Sequence, residues 1–391
     1  MQRLIHLLIS LIVVVSFLWV VESSAQGWGP ATNLGSNINT SYLEDGNSIS
    51  QDSSKLYLSS DRPGGLGGAD VWVSEYVGGW QVPVNLGGNV NTVSDEYEPS
   101  ISSDRTKLYF SSYRSGGYGV SDIYVSEYVG GVWQPAVNLG PNINTADNEG
   151  CPSVSTDGSK LFFVSDRPGG YGWTDIWFAE SSGDSWMLPV NLGDSINSPD
   201  NDLTPCISND GLKLYFASTR AGGYGEFDIW QSENISGVWQ SPTNLGPNIN
   251  TSSSEAGANI SSNGMKLYFA AYGWPGGYGG FDIWLSEYQT NIEEEFVKGS
   301  LIDENELSLC CFPNIAFSHI KILYSIPKAS QISVSLYDLA GKKVRTLVDC
   351  YTTPGQYTFD WPINNDLPAG TYFCHLKSGN ISKTEKILII K

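Results

Sequence analysis

The chain has 391 residues, a formal net charge of −20, 12% aromatic and only 16% charged residues, with 43 glycines, 13 tryptophans and 21 tyrosines. That length holds more than one domain, and a composition rich in turn formers and in residues suited to a pleated surface excludes a mainly helical protein. The charge is concentrated between Gln26 and Asn291, where 29 acidic side chains stand against 10 basic ones, which excludes nucleic acid and anionic lipid as partners of that region.

In chain order, the first element is an export signal over residues 1–25. Arg3 supplies the basic start, Leu4 to Val21 the apolar run, and Ser23 and Ala25 the small residues before a cut at Gln26. The run approaches the length of a membrane span, so an uncleaved anchor is the rival reading.

Next comes a repeat. A Trp followed by Pro and Asn-Leu-Gly recurs at Trp28, Trp80, Trp133, Trp186 and Trp239, in steps of 52, 53, 53 and 53 residues. Short alternating runs separated by Gly, Asp and Asn predict four strands per unit. In the third copy these are Pro152 to Ser155, Lys160 to Ser165, Asp175 to Glu180 and Trp186 to Leu192, with a tight hairpin at Asp157-Gly158. Four-stranded units at this period predict propeller blades. The array opens with a fourth-strand segment at Trp28 and stops after a third-strand segment near Tyr288, so the N-terminal strand is expected to complete a fifth blade and leave no unpaired edge.

The family pattern is a Pro-x-Ile-Ser-x-Asp-Gly-x-Lys-Leu-Tyr-Phe run followed by Ser-x-Arg-Pro-Gly-Gly and Asp-Ile-Trp or Asp-Ile-Tyr, and the five units follow it in register with local departures. In these motifs Trp28 to Tyr288 resembles the WD-like propeller repeats of the TolB kind. The resemblance implies that the loops between fourth and first strands, and between second and third strands, open on one face that serves as the ligand face. The first set carries Glu44, Glu96, Glu149, Asp202 and Glu255. The second carries Arg62, Arg114, Arg167 and Arg220, with Tyr118, Tyr171, Tyr224 and Tyr278 in the Gly-Gly-Tyr-Gly turns. These form a candidate ligand-binding ring of acids, bases and aromatic rings. A group repeated in every blade serves equally to hold blades together, and Asp70, Asp122, Asp175, Asp228 and Asp282 read as turn-fixing. Because a ligand breaks five-fold equivalence, Trp274, in a fifth-copy loop one residue longer than the others, is the first candidate for ligand stacking, followed by Trp173; Glu226 also departs from its counterparts.

An acidic linker is expected over residues 292–308. From 309 to 391 the segments Ser325-Ile326-Pro327, Tyr337-Asp338 with Gly341-Lys342, and Leu367-Pro368-Ala369-Gly370-Thr371-Tyr372-Phe373 are similar to the C-terminal sorting domain of type IX secretion substrates. The resemblance implies a small Ig-like β-sandwich and a secretion machinery as partner. It departs from the family at Ile315-Ala316 and Pro362-Ile363. Of six cysteines, Cys350 and Cys374 are the expected disulfide pair.

The fold class is therefore all-β: a five-bladed β-propeller over 26–291 followed by the sandwich. The three histidines, His6, His319 and His375, lie outside the repeats, which excludes a Ser-His-Asp triad or a His-ligated metal there. No phosphate-binding glycine loop precedes a helix. Asp200 and Asp202 match no recognised calcium loop, so no cofactor or metal is assigned. The leading expectation is a monomeric, non-catalytic propeller, secreted or held at the outer-membrane surface, that binds a glycan, envelope material or a protein. The alternative is an arabinanase-like glycoside hydrolase using channel carboxylates, which would need two of them in unlike environments.

Overall fold

The structure, a computed structural model, describes residues 27–183, 185–289, 306–312, 315–316, 319–363 and 367–389. The expected signal peptide and the linker over 292–305 lie outside the described residues. All regular structure among the described residues is strand. These residues fall into two compact units, one ending at Gln289 and one beginning after it.

The first unit consists of five antiparallel sheets that resemble propeller blades. In the third, the inner strand Glu149–Val154 pairs with Lys160–Ser165, and that strand pairs with Asp175–Ser182. The outer edge is formed by two short pieces, Ser185–Trp186 and Val190–Asn191. Two differences from the expected strands have one cause. Pro189 supplies no N–H and divides the outer strand. Pro152 does not delay the inner strand as expected, because it sits in a bulge where the ladder slips between Gly150 and Ser153 and no bond is required.

Residues alternate between faces so that Leu161, Phe163 and Ile176 are fully buried. Phe110, Phe216 and Phe269 repeat the position of Phe163 in other sheets and are buried equally. Between sheets, the outer-strand tryptophan meets the second-strand aromatic of the preceding sheet edge-on. Trp133 meets Tyr57, Trp186 meets Tyr109, Trp239 meets Phe162, Trp28 meets Tyr215, and Trp80 meets Tyr268. The last contact joins the first sheet to the fifth, so the set of contacts is cyclic. The inner strands join there too: Asn47 Nδ2 donates to Gly257 O at 2.7 Å and Ile49 N to Asn259 Oδ1 at 3.0 Å. The N-terminal pieces Gly27–Trp28 and Thr32–Asn33 pair with Phe281–Gln289, so both ends of this unit lie in one sheet.

The second unit holds a three-stranded sheet, Ser308–Phe312, His319–Ile326 and Gly355–Pro362, and a five-stranded sheet built on Ser330–Asp338, Lys343–Thr352, Gly370–Ser378 and Ile381–Ile389. Ile315–Ala316 adds to the latter in parallel. One core includes Ile322, Trp361, Leu336 and Leu376. The expected Cys350–Cys374 pairing is corrected: the two flank the same central strand, opposite Ile332 and Leu336 respectively, Cys350 is exposed, and all six cysteines are free. The thiol of Cys374 faces that of Cys311, which is pushed above its ordinary range by that contact and by burial.

Candidate functional site

The repeated carboxylates are placed at the start of each inner strand, and none is open to a ligand. Glu44, Glu96, Glu149, Asp202 and Glu255 are at most 1% exposed. In the first sheet Glu44 accepts bonds from Thr40 N and Oγ1, both at 2.6 Å, from Ser60 Oγ and from Arg62 Nη2 at 3.1 Å. Arg62 also donates to Ile38 O. Arg114, Arg167 and Arg220 repeat this pairing with Glu96, Glu149 and Asp202, and each guanidinium lies over aromatic rings of its own sheet, as Arg114 does over Tyr124 at 4.5 Å. The expected ligand-binding role of these nine residues is therefore corrected: their polar atoms are spent on locking a loop to a strand. Asp202 is held by Ser198 and Arg220 rather than converging with Asp200.

Trp274 is corrected for the same reason. Its Nε1 donates to Glu255 Oε1 at 2.6 Å, and its ring packs on Phe269 and Trp284. It replaces the arginine of the other sheets, supplying one donor and one flat face. Of the remaining candidates, Tyr118, Tyr171, Tyr224 and Tyr278 are half exposed and Trp173 is 79% exposed. They stay at the surface, where Asp122, Asp175, Asp228 and Asp282 accept the backbone N–H of each turn tyrosine at 2.6–2.8 Å.

The structure brings together a different set, on the inner strands. Each inner strand carries a bulge, and the residue at its centre adopts a left-handed backbone: Gly46, Glu98, Cys151, Thr204 and Gly257, with φ between 44° and 60°. Glycine is the natural occupant of that conformation. Glu98, Cys151 and the β-branched Thr204 hold it at a cost of about 1–3 kcal/mol each. These residues line one cavity of about 30 Å³ touched by all five inner strands, which is room for about one water molecule.

Glu98 lines this cavity, and Asp45 lies beside two other residues of the lining, with its Oδ1 2.6 Å from Gly46 N and 3.6 Å from where a Cβ on Gly257 would stand. Glu98 is partly buried, Ser111 Oγ donates to its Oε2 at 3.1 Å, and Gly46 lies so close that a Cβ on it would be 2.8 Å from the Glu98 Cα. Burial and the charge of Asp45 push Glu98 up to about 7, against the bonds from Ser111 and Cys151. Burial raises Asp45 too, with the Gly46 N–H, 2.6 Å from Oδ1, opposing it. The thiol of Cys151 is raised by burial and by Glu98. Tyr97 and Tyr113, in edge-to-face contact at 6.1 Å, carry their hydroxyls into the same field. Sequence reasoning sought asymmetry in the loops and missed this column. The signal was available: Asp45 and Glu98 have Gly, Cys, Thr, Leu or Ala at the corresponding places in the third to fifth repeats.

With this geometry in hand, similarity to known proteins falls into two parts. Residues 311–391 match the secretion system C-terminal sorting domain. The chain is thus a type IX secretion substrate, exported to the cell surface or released, and the secretion machinery is its partner. No curated protein matches the sequence. Among solved structures, the chain resembles TolB from Acinetobacter baumannii, at 14% identity over 80% of this chain and 64% of that one, with a TM-score of 0.42. It also resembles a Bacteroides ovatus GH43B from a xyloglucan locus, at 12% identity over 91% and 92%, TM-score 0.45. The α-L-arabinofuranosidase PaAbf62A from Podospora anserina, solved with cellotriose, matches at 12% identity over 68% and 97%, TM-score 0.42. Likeness at this level speaks to fold alone. The similar structures are nevertheless mostly glycoside hydrolases, arabinofuranosidases and a putative galactanase among them. They stand against the expected non-catalytic binding propeller, and that expectation is corrected.

Proposed function

We propose that residues 26–291 form a five-bladed propeller that acts as a glycoside hydrolase on an extracellular polysaccharide, carried outside by an Ig-like sorting sandwich over 309–391. The observation that carries this reading is Glu98 in the lining of a cavity touched by all five inner strands, with Asp45 next to the lining residues Gly46 and Gly257. Hydrolysis of a glycosidic bond needs one carboxyl that keeps its proton near neutral pH to protonate the leaving oxygen, and a second that is ionised to activate water or attack the sugar. Glu98, raised to about 7, suits the first role. Asp45, whose carboxylate accepts the Gly46 N–H against the burial that raises it, is assigned the second. The cavity beside Glu98 admits a water and no sugar ring, so on this reading the substrate binds outside it and the cavity holds the water. The strained backbone at Glu98 and Cys151 supports the reading, since such strain persists where function requires it.

Reducing-sugar release from arabinan, xylan, xyloglucan and galactan tests it. Glu98→Gln and Asp45→Asn should each lower release by about 10²–10⁴-fold while leaving the melting curve cooperative. No release from any of the four polymers, or release unchanged in Glu98→Gln, defeats the proposal.

A further inference from the structure

The sheets depart from one another a second time, at the opposite end of the strands. In the first, second and fifth sheets a tyrosine covers the edge of the outer-strand tryptophan: Tyr76 on Trp80, Tyr128 on Trp133, Tyr288 on Trp28, at centroid distances of 4.9–5.2 Å. In the fourth sheet the residue opposite Trp239 is Asn234. Elsewhere an asparagine amide clamps the tryptophan carbonyl, as Asn37 does for Trp80, Asn89 for Trp133, Asn142 for Trp186 and Asn248 for Trp28. The corresponding residue for Trp239 is Ser195.

A third difference lies across the same junction. Among the described residues, the lysine that begins each second strand reaches the glutamate opposite it in four sheets, at 2.8–3.8 Å. Lys160, opposite Glu180, instead lies over the ring of Phe178 with its Nζ 5.6 Å from the centroid. The result is a groove of about 370 Å³ between the third and fourth sheets, within the ~300–1,000 Å³ of small-molecule sites. Its floor is aromatic, from Trp239 and Phe178. Lys160 and the Asn234 amide supply donors at its rim, and Asp157 and Asp210 supply acceptors.

We infer that this groove is a second binding site, for a neutral sugar residue of a polysaccharide. A pyranose or furanose ring presents an apolar C–H face and hydroxyls that both donate and accept. An aromatic floor with donors and acceptors at its rim matches that combination. A polyanionic glycan would meet Asp157, whose carboxylate is held down to about 2 by Ser155 and Ser159 and so stays charged. Neither Asp45 nor Glu98 lines this groove.

The test is affinity electrophoresis of the full chain through gels containing arabinan, xyloglucan, mixed-linkage β-glucan or, as the acidic control, polygalacturonate. At least one neutral polymer should retard the protein. Asn234→Tyr, which installs the residue that three other sheets carry, should fill the groove and weaken retardation tenfold or more without lowering the melting temperature. Glu98→Gln should stay retarded, so loss of the hydrolase reading would leave this one standing. Retardation unchanged in Asn234→Tyr, retardation by polygalacturonate alone, or no retardation by any neutral polymer overturns the inference.

Discussion

Trp274 and Arg62 fill equivalent niches with different chemistry, and that equivalence sets what each can do. Replacing Trp274 by alanine leaves the Glu255 carboxyl, fully buried, without its indole donor and opens a void beside Phe269 and Trp284. The expected cost is about 3 kcal/mol, read as a lower urea midpoint. An unchanged midpoint would return Trp274 to the ligand-facing role that its sequence position suggested. Glu98 makes a prediction of another kind. Its ordinary value is 4.5 and its folded value is about 7, so between those limits the native state keeps a proton that the unfolded chain has released. Stability from this group is full below about 4.5, declines with rising pH, and is gone above about 7. Glu98→Gln removes the dependence. Its stability relative to wild type should therefore rise through that window and level off above it, by no more than about 3 kcal/mol, as followed by urea unfolding at several pH values. A flat difference would mean that the carboxyl titrates normally.

At the scale of strands, the second and third of each repeat were legible as short apolar runs bounded by turn residues: Leu161, Phe162, Phe163 and Val164 are all buried, as are Ile176 and Trp177, because both faces of the sheet are covered. The inner strands were less so. Gly150-Cys151-Pro152 reads as a break, yet the strand runs through it, because a bulge needs a residue with positive φ and tolerates a proline. The candidate site stayed hidden behind the same feature: a bulge turns Glu98 toward a shared cavity, whereas period-two reasoning gives the positions around it no common address. Conversely, the conspicuous Glu and Arg columns drew the eye by repetition. Burial shows that repetition there marks a joint made five times. The approach of the free thiols of Cys311 and Cys374 was beyond reach for a plainer reason, since it runs across two sheets and spacing along the chain carries no information about that distance.

For the molecule as a whole, the most sensitive joint is the fifth sheet. Deleting Trp28 to Gly35 removes both N-terminal pieces from Phe281–Gln289, exposes that strand, and takes Trp28 from its contact with Tyr215. The loss of one buried tryptophan and its pairing should lower the melting temperature by roughly 10 °C or more, measured on the full chain by calorimetry. Equal melting with and without the segment would show that the two ends contribute nothing by meeting.

That meeting also imposes an order in time. Ser286 Oγ donates to Gly29 O across 257 residues of sequence, so the first part of this unit to be made waits for the last. At ~5–20 residues per second the wait is roughly 13–50 s, far longer than a hairpin takes to form. Throughout it, the chain carries an indole and an unpaired strand edge with no native partner yet in existence, which makes the nascent protein a natural client for a holdase and ties its yield to how fast its end arrives.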